Sequence, residues 1–376
     1  MSIELTLDAS ISFGRRQSTR LWSDSARSDV HEQEKYDFLA LITAIANLYS
    51  QNDILEMQGR QDTGKPLSNG AVSEVSTIYA AVTRPSTIIS HQTRTQKSLL
   101  VVKRSESKLF HPDGRCNDKA AIRSFISEIQ ILSHRSLRQH PNIVKILGVH
   151  WDYRHTGYPE PLILLEKANM DLRKFQAKYF SLPFATKKAI ALNIACGLSA
   201  IHEYGVIHGD LKPANVLIFF KPVLHAKIAD FSHSFLDTGE QRQLIGGTRI
   251  YAAPEWQASA STGQLRKVDI YSLGLVLSGL VLGTDLIDCF ERNPPRLNLN
   301  LSLADSIQKV KDDDLMATYL YELIYLADKQ NPDLHLDSLP MIRSILESTL
   351  QLDPGKRHLD KVIHLLSSRY SQPTPF

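Results

Sequence analysis

The sequence predicts an α+β fold of two lobes, a small β-rich N-terminal lobe followed by a larger helical C-terminal lobe. Three observations point there. Between about residues 60 and 165, short runs of strand-like composition surround a single helical stripe. After Asn169 the apolar residues recur mostly at helical spacing. The chain has 376 residues, enough to close two separate cores.

Taken in order, residues 1–30 read as a polar arm. They lack the apolar stretch of a signal peptide, and Glu4, Asp8, Asp24 and Asp29 argue against a mitochondrial presequence. From Val30 to about Asn52, the recurrence of Tyr36, Leu39, Ile42, Ala46 and Tyr49 predicts an amphipathic helix. Its apolar face requires a neighbour, either the adjoining lobe or a partner. Val75–Val82 and Ser98–Lys103 read as strands on either side of a polar stretch from Thr83 to Lys97. Ile122, Ile126 and Ile129 mark a helix over about 118–137. His140-Pro141-Asn142 ends it, since proline disfavours helical geometry in the residue before it.

Ile143–Leu147 and Leu162–Leu165 follow as further strands. Ile190, Ile194, Leu198 and Ile201 then form one helical stripe, and Ile342, Ile345, Leu346, Thr349 and Leu350 another. The stretch from Asp285 to Pro340, rich in Asn, Asp and Leu, reads only as an enlargement of the helical part. The expected division is an N-terminal extension at 1–60, a first lobe at 61–168 and a second at 169–370. No internal repeat is visible.

Composition narrows the class. Hydrophobic residues make up 43% and charged residues 22%, the proportions of an ordinary globular protein. A formal charge of +3, with Lys and Arg interleaved among acids, argues against nucleic acid or an anionic membrane as partner. Cys116, Cys196 and Cys289 fit neither a disulfide framework nor a zinc pattern, which points to a reducing, cytoplasmic compartment, the nucleus being equally reducing. Two apolar stretches, Tyr36–Tyr49 and Ile270–Thr284, fall short of the roughly 20 residues of a membrane span and read as docking or buried helices.

The chemistry is concentrated in His208-Gly209-Asp210-Leu211-Lys212-Pro213-Ala214-Asn215 and in Lys227-Ile228-Ala229-Asp230-Phe231-Ser232. Two carboxylates, a lysine and an amide lie around short apolar runs. Transfer of a phosphoryl group needs this set: a base near the acceptor hydroxyl, a cation near the migrating phosphate, and oxygen ligands for magnesium. Singly, an Asp or Asn after a strand is usually a turn former or cap. The joint spacing argues against that.

At these residues the chain resembles the protein kinase family, over roughly residues 62–368. The resemblance implies roles residue by residue. Asp210 would be the catalytic base, Lys212 would neutralise the γ-phosphate, and Asn215 and Asp230 would bind Mg2+. Lys103, ending Leu99-Leu100-Val101-Val102-Lys103, would contact the α- and β-phosphates of ATP, with Glu128 holding it in place. Leu67 to Val75 aligns with the loop that covers the phosphates, and Gly70 and Val75 are its matching positions. Glu166-Lys167-Ala168 resembles the hinge that meets adenine, behind Leu165 as gatekeeper, and Asp171 would reach the ribose.

Later motifs extend the likeness. Gly247 to Glu255 resembles the segment that binds a peptide acceptor, and Thr248 with Lys212 matches the serine/threonine form of the signature. Asp269-Ile270-Tyr271-Ser272-Leu273-Gly274 resembles the central buried helix, whose aspartate anchors the catalytic-loop backbone. Arg357 would pair with Glu255. The implied activity is transfer of the ATP γ-phosphoryl group to a protein Ser or Thr hydroxyl.

Three departures bear on regulation and binding. Gly209 stands where most members carry an arginine that binds an activation-loop phosphate, so a phosphate on Ser234 or Thr238 would lack its usual partner. Ser232 replaces the glycine after Asp230-Phe231, and Gly70 is the one glycine left of three in the phosphate-covering loop. These departures keep open a second reading, a pseudokinase scaffold. A third, a small-molecule phosphotransferase with a similar His-Gly-Asp loop, is disfavoured by the acceptor segment and by the Glu255 and Arg357 motifs.

Overall fold

A five-stranded antiparallel sheet, in the order β1-β2-β3-β5-β4, forms the small lobe of the computed structural model. The structure describes residues 30–49, 56–69, 73–83, 96–105, 109, 118–152, 160–237, 248–256, 262–295, 301–330 and 338–368. The strands are β1 (Glu56–Asn69), β2 (Ser73–Thr83), β3 (Gln96–Ser105), β4 (Ile146–Asp152) and β5 (Glu160–Leu165). β2 and β3 contain the two strands expected from their apolar runs. β1 was not expected: Glu-Met-Gln-Gly-Arg-Gln-Asp-Thr-Gly-Lys-Pro-Leu-Ser-Asn has no alternation, and its ladder to β2 is interrupted by three register shifts.

The pleat sorts side chains to two faces. Leu100 and Val102 of β3 meet Leu162 and Leu164 of β5 on one face, in a small cluster of their own. Val101, Ile163 and Leu165 point the other way, into the main core with α2 (Lys119–Ser133). Lys103 has the parity of Val101, so the strand aims its ammonium at α2. That helix begins at Asp118, whose carboxylate accepts the Ala121 N–H at 2.9 Å, an N-cap. It ends earlier than the expected 118–137: His134 is extended, and a separate short helix, α3 (Arg135–Gln139), follows. The expected strand at 143–147 also divides, because Ile143 bridges Ile228 in parallel and β4 starts only at Ile146.

Helix α1 (Val30–Tyr49) packs on α2 and β4, so its neighbour is the small lobe itself. The phase of its buried stripe differs from the expected one. Leu41, Ala44 and Leu48 are buried, whereas Ile42 and Tyr49 are exposed. Tyr49 donates its hydroxyl to the Val149 carbonyl at 2.5 Å, which turns that ring toward the rim of the contact.

The large lobe contains β6 (Met170–Asp171), α4 (Leu172–Lys178), α5 (Phe184–Glu203), β7 (Val206–Ile207), β8 (Val216–Phe219), β9 (His225–Ile228) and β10 (Phe235–Leu236). Then come α6 (Thr262–Leu282), α7 (Leu286–Arg292), α8 (Leu303–Asp312), α9 (Met316–Gln330), α10 (Leu339–Thr349) and α11 (Leu359–Ser367). Both expected stripes are buried, from Ile190 to Ile201 on α5 and from Ile342 to Leu350 along α10. α6 is apolar nearly all round, from Leu265 to Leu280, which makes it the central helix. By length and composition α5 is long enough to cross a membrane, but its stripe packs against α6, α11 and β9. The described part of the unassigned region from Asp285 to Pro340 holds α7, α8, α9 and the start of α10, and its α7 and α8 ends lie beside the 248–256 segment.

Candidate active site

The site lies where β3, α2, the loop around Asp210 and the start of the segment after Asp230 converge. Lys103 is buried, and its Nζ donates to Glu128 at 2.8 Å and 2.6 Å and to Asp230 Oδ1 at 2.7 Å. One ammonium thus joins a strand of the small lobe, its helix, and a carboxylate 127 residues along the chain. Burial alone would lower the Lys103 pKa, but the charges of Asp230 and Glu128 outweigh it and push it up. Burial likewise opposes ionisation of Asp230, yet the Lys103 ammonium holds that carboxyl well below the usual range. Glu128 goes the other way: burial raises it, and Asp230 adds to the rise. Two carboxylates sharing one cation are pushed apart.

Asp230 sits at φ 63°, in the left-handed region that Asp tolerates better than most residues. Ser232 secures it from the next turn, donating Oγ to Asp230 Oδ1 at 2.7 Å. Helix α2 holds the following backbone with two hydroxyls, Ser124 to the Ser232 carbonyl at 2.5 Å and Ser127 to the Ser234 carbonyl at 3.2 Å. The serine that replaces glycine after Phe231 is therefore part of the site's hydrogen bonding.

Around Asp210 the polar contacts are equally dense. Lys212 donates to Asp210 Oδ2 at 2.6 Å and to Thr248 Oγ1 at 2.9 Å. The Thr248 N–H reaches Asp210 Oδ1 at 3.0 Å. Asn215 gives its amide N–H to the Asp210 carbonyl at 2.8 Å and to Oδ2 at 3.2 Å. Below them Asp269, buried in α6, accepts the N–H groups of His208 at 2.8 Å and Gly209 at 2.9 Å, and a ring nitrogen of His202 at 2.9 Å. Burial would raise its pKa, but His202, His208 and the Gly209 N–H lower it. The backbone leading into Asp210 is therefore hung from a carboxylate on the core helix.

The donor set fits a hard cation. Asn215 uses only its Nδ2, and all the contacts to Asp230 fall on Oδ1. Among the described residues one amide oxygen and one carboxylate oxygen thus accept no hydrogen bond, and both are oxygen ligands of the kind Mg2+ takes. Among the described residues no cluster of three or more His, Cys, Asp and Glu is present, so a metal here would need further oxygens from a bound phosphate.

The remaining expected positions divide. Val75 pairs in register with Lys103 across β2 and β3. Gly70 lies outside the described residues. The Glu166 side chain accepts from Lys227 Nζ at 2.6 Å and from the Lys145 N–H at 2.7 Å. That leaves its carbonyl and both backbone groups of Ala168 without partners among the described residues, a row of groups suited to a flat heterocycle. Asp171 is engaged locally, capping α4 through the Lys174 N–H at 2.8 Å and pairing with Lys174 Nζ at 2.9 Å. Glu255 and the fully buried Arg357 form the bidentate pair expected of them, one arm at 2.9 Å. Sequence reasoning missed His202, Ser124 and Ser127. None of the three stands in a recognisable motif, and only its partner's position marks it.

The protein kinase domain family matches residues 86–368. The match begins between β2 and β3, so the β1–β2 hairpin lies ahead of it. Serine/threonine-protein kinase ULK3 of Mus musculus is 26% identical over 241 residues, covering 64% of this chain and 44% of that protein. Wall-associated receptor kinase 5 of Arabidopsis thaliana is 34% identical over 189 residues, 47% of this chain and 24% of the relative. Fatty acyl-CoA synthetase and RNA processing-associated kinase 1 of Saccharomyces cerevisiae is 29% identical over 251 residues, 66% and 26%. The matched part of the chain spans less than half the length of each of these proteins. With the match covering most of the chain and the charges of both lobes meeting at Lys103, the chain belongs to the protein kinase family.

Proposed function

We propose that this protein is an active serine/threonine protein kinase, transferring the γ-phosphoryl group of ATP to a protein hydroxyl. The observation that carries the reading is the three-way contact of Lys103, Glu128 and Asp230, made alongside a complete Asp210–Lys212–Asn215–Thr248 network. In this reading Lys103 contacts the α- and β-phosphates, and Asp210 accepts or orients the acceptor hydroxyl proton. Lys212 neutralises charge on the transferred group. Asn215 and Asp230 hold Mg2+, which when bound offsets the negative charge of the triphosphate. The hinge backbone at Glu166 and Ala168 takes adenine, and residues 67–75 cover the phosphates. Catalysis then rests on placement and charge, with the side chains fixed before substrate arrives. The division into an extension at 1–60 and lobes at 61–168 and 169–370 belongs to the same proposal.

A pseudokinase remains the second reading, favoured by the glycine-poor loop. Transfer of labelled phosphate from ATP to a degenerate Ser/Thr peptide library, by wild type and Asp210→Ala, separates the two. We expect the variant to lose about 10²–10⁴ in turnover. Equal transfer by both would remove Asp210 from the mechanism. Thermal stabilisation by ATP and Mg2+ with no transfer by the wild type would establish the scaffold reading.

A further inference from the structure

The 248–256 segment, which the kinase reading assigns to the acceptor peptide, is gripped from beneath by the region that the sequence left unassigned. Tyr251 donates its hydroxyl to Asp285, the N-cap of α7, at 3.1 Å, and Ser272 of α6 donates to the Tyr251 carbonyl at 2.8 Å. The most unusual contact comes from α8. Lys311, only 1% exposed, directs its ammonium at three main-chain carbonyls of this segment: Arg249 at 3.0 Å, Ile250 at 2.8 Å and Ala252 at 2.7 Å. Among the described residues no carboxylate pairs with it.

We propose that Lys311 is a positioning residue for the acceptor: by gathering these three carbonyls it fixes the backbone on which a peptide would lie, and so couples peptide binding, but not ATP binding, to the charge on one buried amine. The proposal rests on the kinase reading. An ammonium has three N–H donors, and three acceptors satisfy it fully. A neutral amine has two, and its lone pair would face the third carbonyl.

The surroundings put that loss within reach. Burial pushes Lys311 down to about 7, and the Arg249 guanidinium adds to the fall. Asp312 on its own helix and Glu255 on the gripped segment oppose it. The other charged or titratable neighbours are the Tyr271 ring of α6, 6.0 Å from the ammonium, with Arg357 stacked on it, and Asp305, which pairs with Arg249. The signs diverge in a useful way. An unfolded chain keeps this proton up to about 10.5, so between the two values rising pH adds stability through this group. Over the same range the carbonyls lose a donor. Peptide affinity should fall while stability does not.

The test is steady-state phosphorylation of a Ser/Thr peptide chosen from the degenerate library, by wild type, K311M and K311R. We expect the wild-type KM for peptide to rise several-fold between about pH 6.5 and 8.5, with the KM for ATP steady. K311M should carry a peptide KM raised about tenfold with no pH dependence, and K311R should restore much of the affinity and stay flat with pH. A peptide KM insensitive to pH and to K311M, or one that moves together with the ATP KM, would overturn the proposal. A second measurement needs neither folded variants nor activity. The Tyr251 and Ala252 amides, both bonded to the Thr248 carbonyl, should lose hydrogen-exchange protection in the wild type over that pH range relative to α5. Unchanged protection would refute the Lys311 lock. Absence of transfer by wild type would count against the kinase reading itself.

Discussion

Gly209 lies at φ +76°, and a Cβ placed on it would come 2.8 Å from the His233 carbonyl oxygen. Any side chain there works against both the backbone and its neighbour. Position 209 therefore offers no side chain to the segment after Asp230, which is held by other bonds. Ser124 and Ser127 bind its carbonyls from α2, and Ser234 is buried with its hydroxyl on the His208 carbonyl at 2.9 Å. Asp237 donates its N–H to Gly205 at 2.7 Å and pairs with Arg266 at 2.8 Å. Of the two hydroxyls considered from sequence, Ser234 is occluded and Thr238 lies outside the described residues. These bonds need no phosphate. We therefore expect phosphatase-treated protein to keep its transfer rate within about twofold, because no guanidinium stands at position 209 to be engaged. A loss of tenfold or more would show that this segment depends on modification. At this scale the clustering was legible wherever spacing along one loop fixed it, as for Asp210, Lys212 and Asn215. Lys311 was not, since a single lysine in a helix carries no pattern until the helix is placed under the 248–256 segment.

Helix α1 shows what periodicity can and cannot fix. Its existence follows from the repeat of apolar residues, but two stripes compete within it. One runs through Ile42, Ala46 and Tyr49, the other through Leu41, Ala44 and Leu48. Only the neighbour chooses, and α2 with β4 chooses the second. The same lack of a local signal hid β1, whose strand character comes from its ladder to β2. Because α1 lies against the helix that carries Glu128, its packing reaches the Lys103 contact through one intermediate. Leu41→Ala and Leu48→Ala should each destabilise by about 2–5 kcal/mol, the usual cost of removing a buried leucine. Ile42→Ala, at 39% exposure, should cost about 0.5 kcal/mol or less. Denaturant unfolding of the three variants checks this, and a costlier Ile42→Ala would restore the stripe expected from sequence.

For the molecule as a whole, the question is what couples the two lobes and over which pH range. Two charged bonds join them, Lys227–Glu166 and Lys103–Asp230, and the groups of the second shift in the directions that favour ionisation. Asp230 is depressed below its ordinary 3.8, so its contribution to stability is present above that value and is lost as pH falls through the folded value. Lys103 is raised above its ordinary 10.5, so its contribution is present below that value and is lost as pH rises toward the folded one. The link should therefore hold at constant strength between about pH 5 and 9. Glu128, raised by burial, works against the pair on the acid side, so wild-type stability alone would blur the effect. The difference between wild type and Asp230→Asn removes most of that overlap. Asp230 is partly open to solvent, with 35% of its side chain exposed, which keeps the difference modest. In denaturant titrations at a series of pH values, the wild-type advantage should be level from about pH 5 to 9 and shrink below about pH 4. An advantage that grows on acidification would mean that Asp230 is not held as a carboxylate by Lys103, and that the lobes are coupled by their other contacts, among them the Ser124, Ser127 and Lys227 bonds.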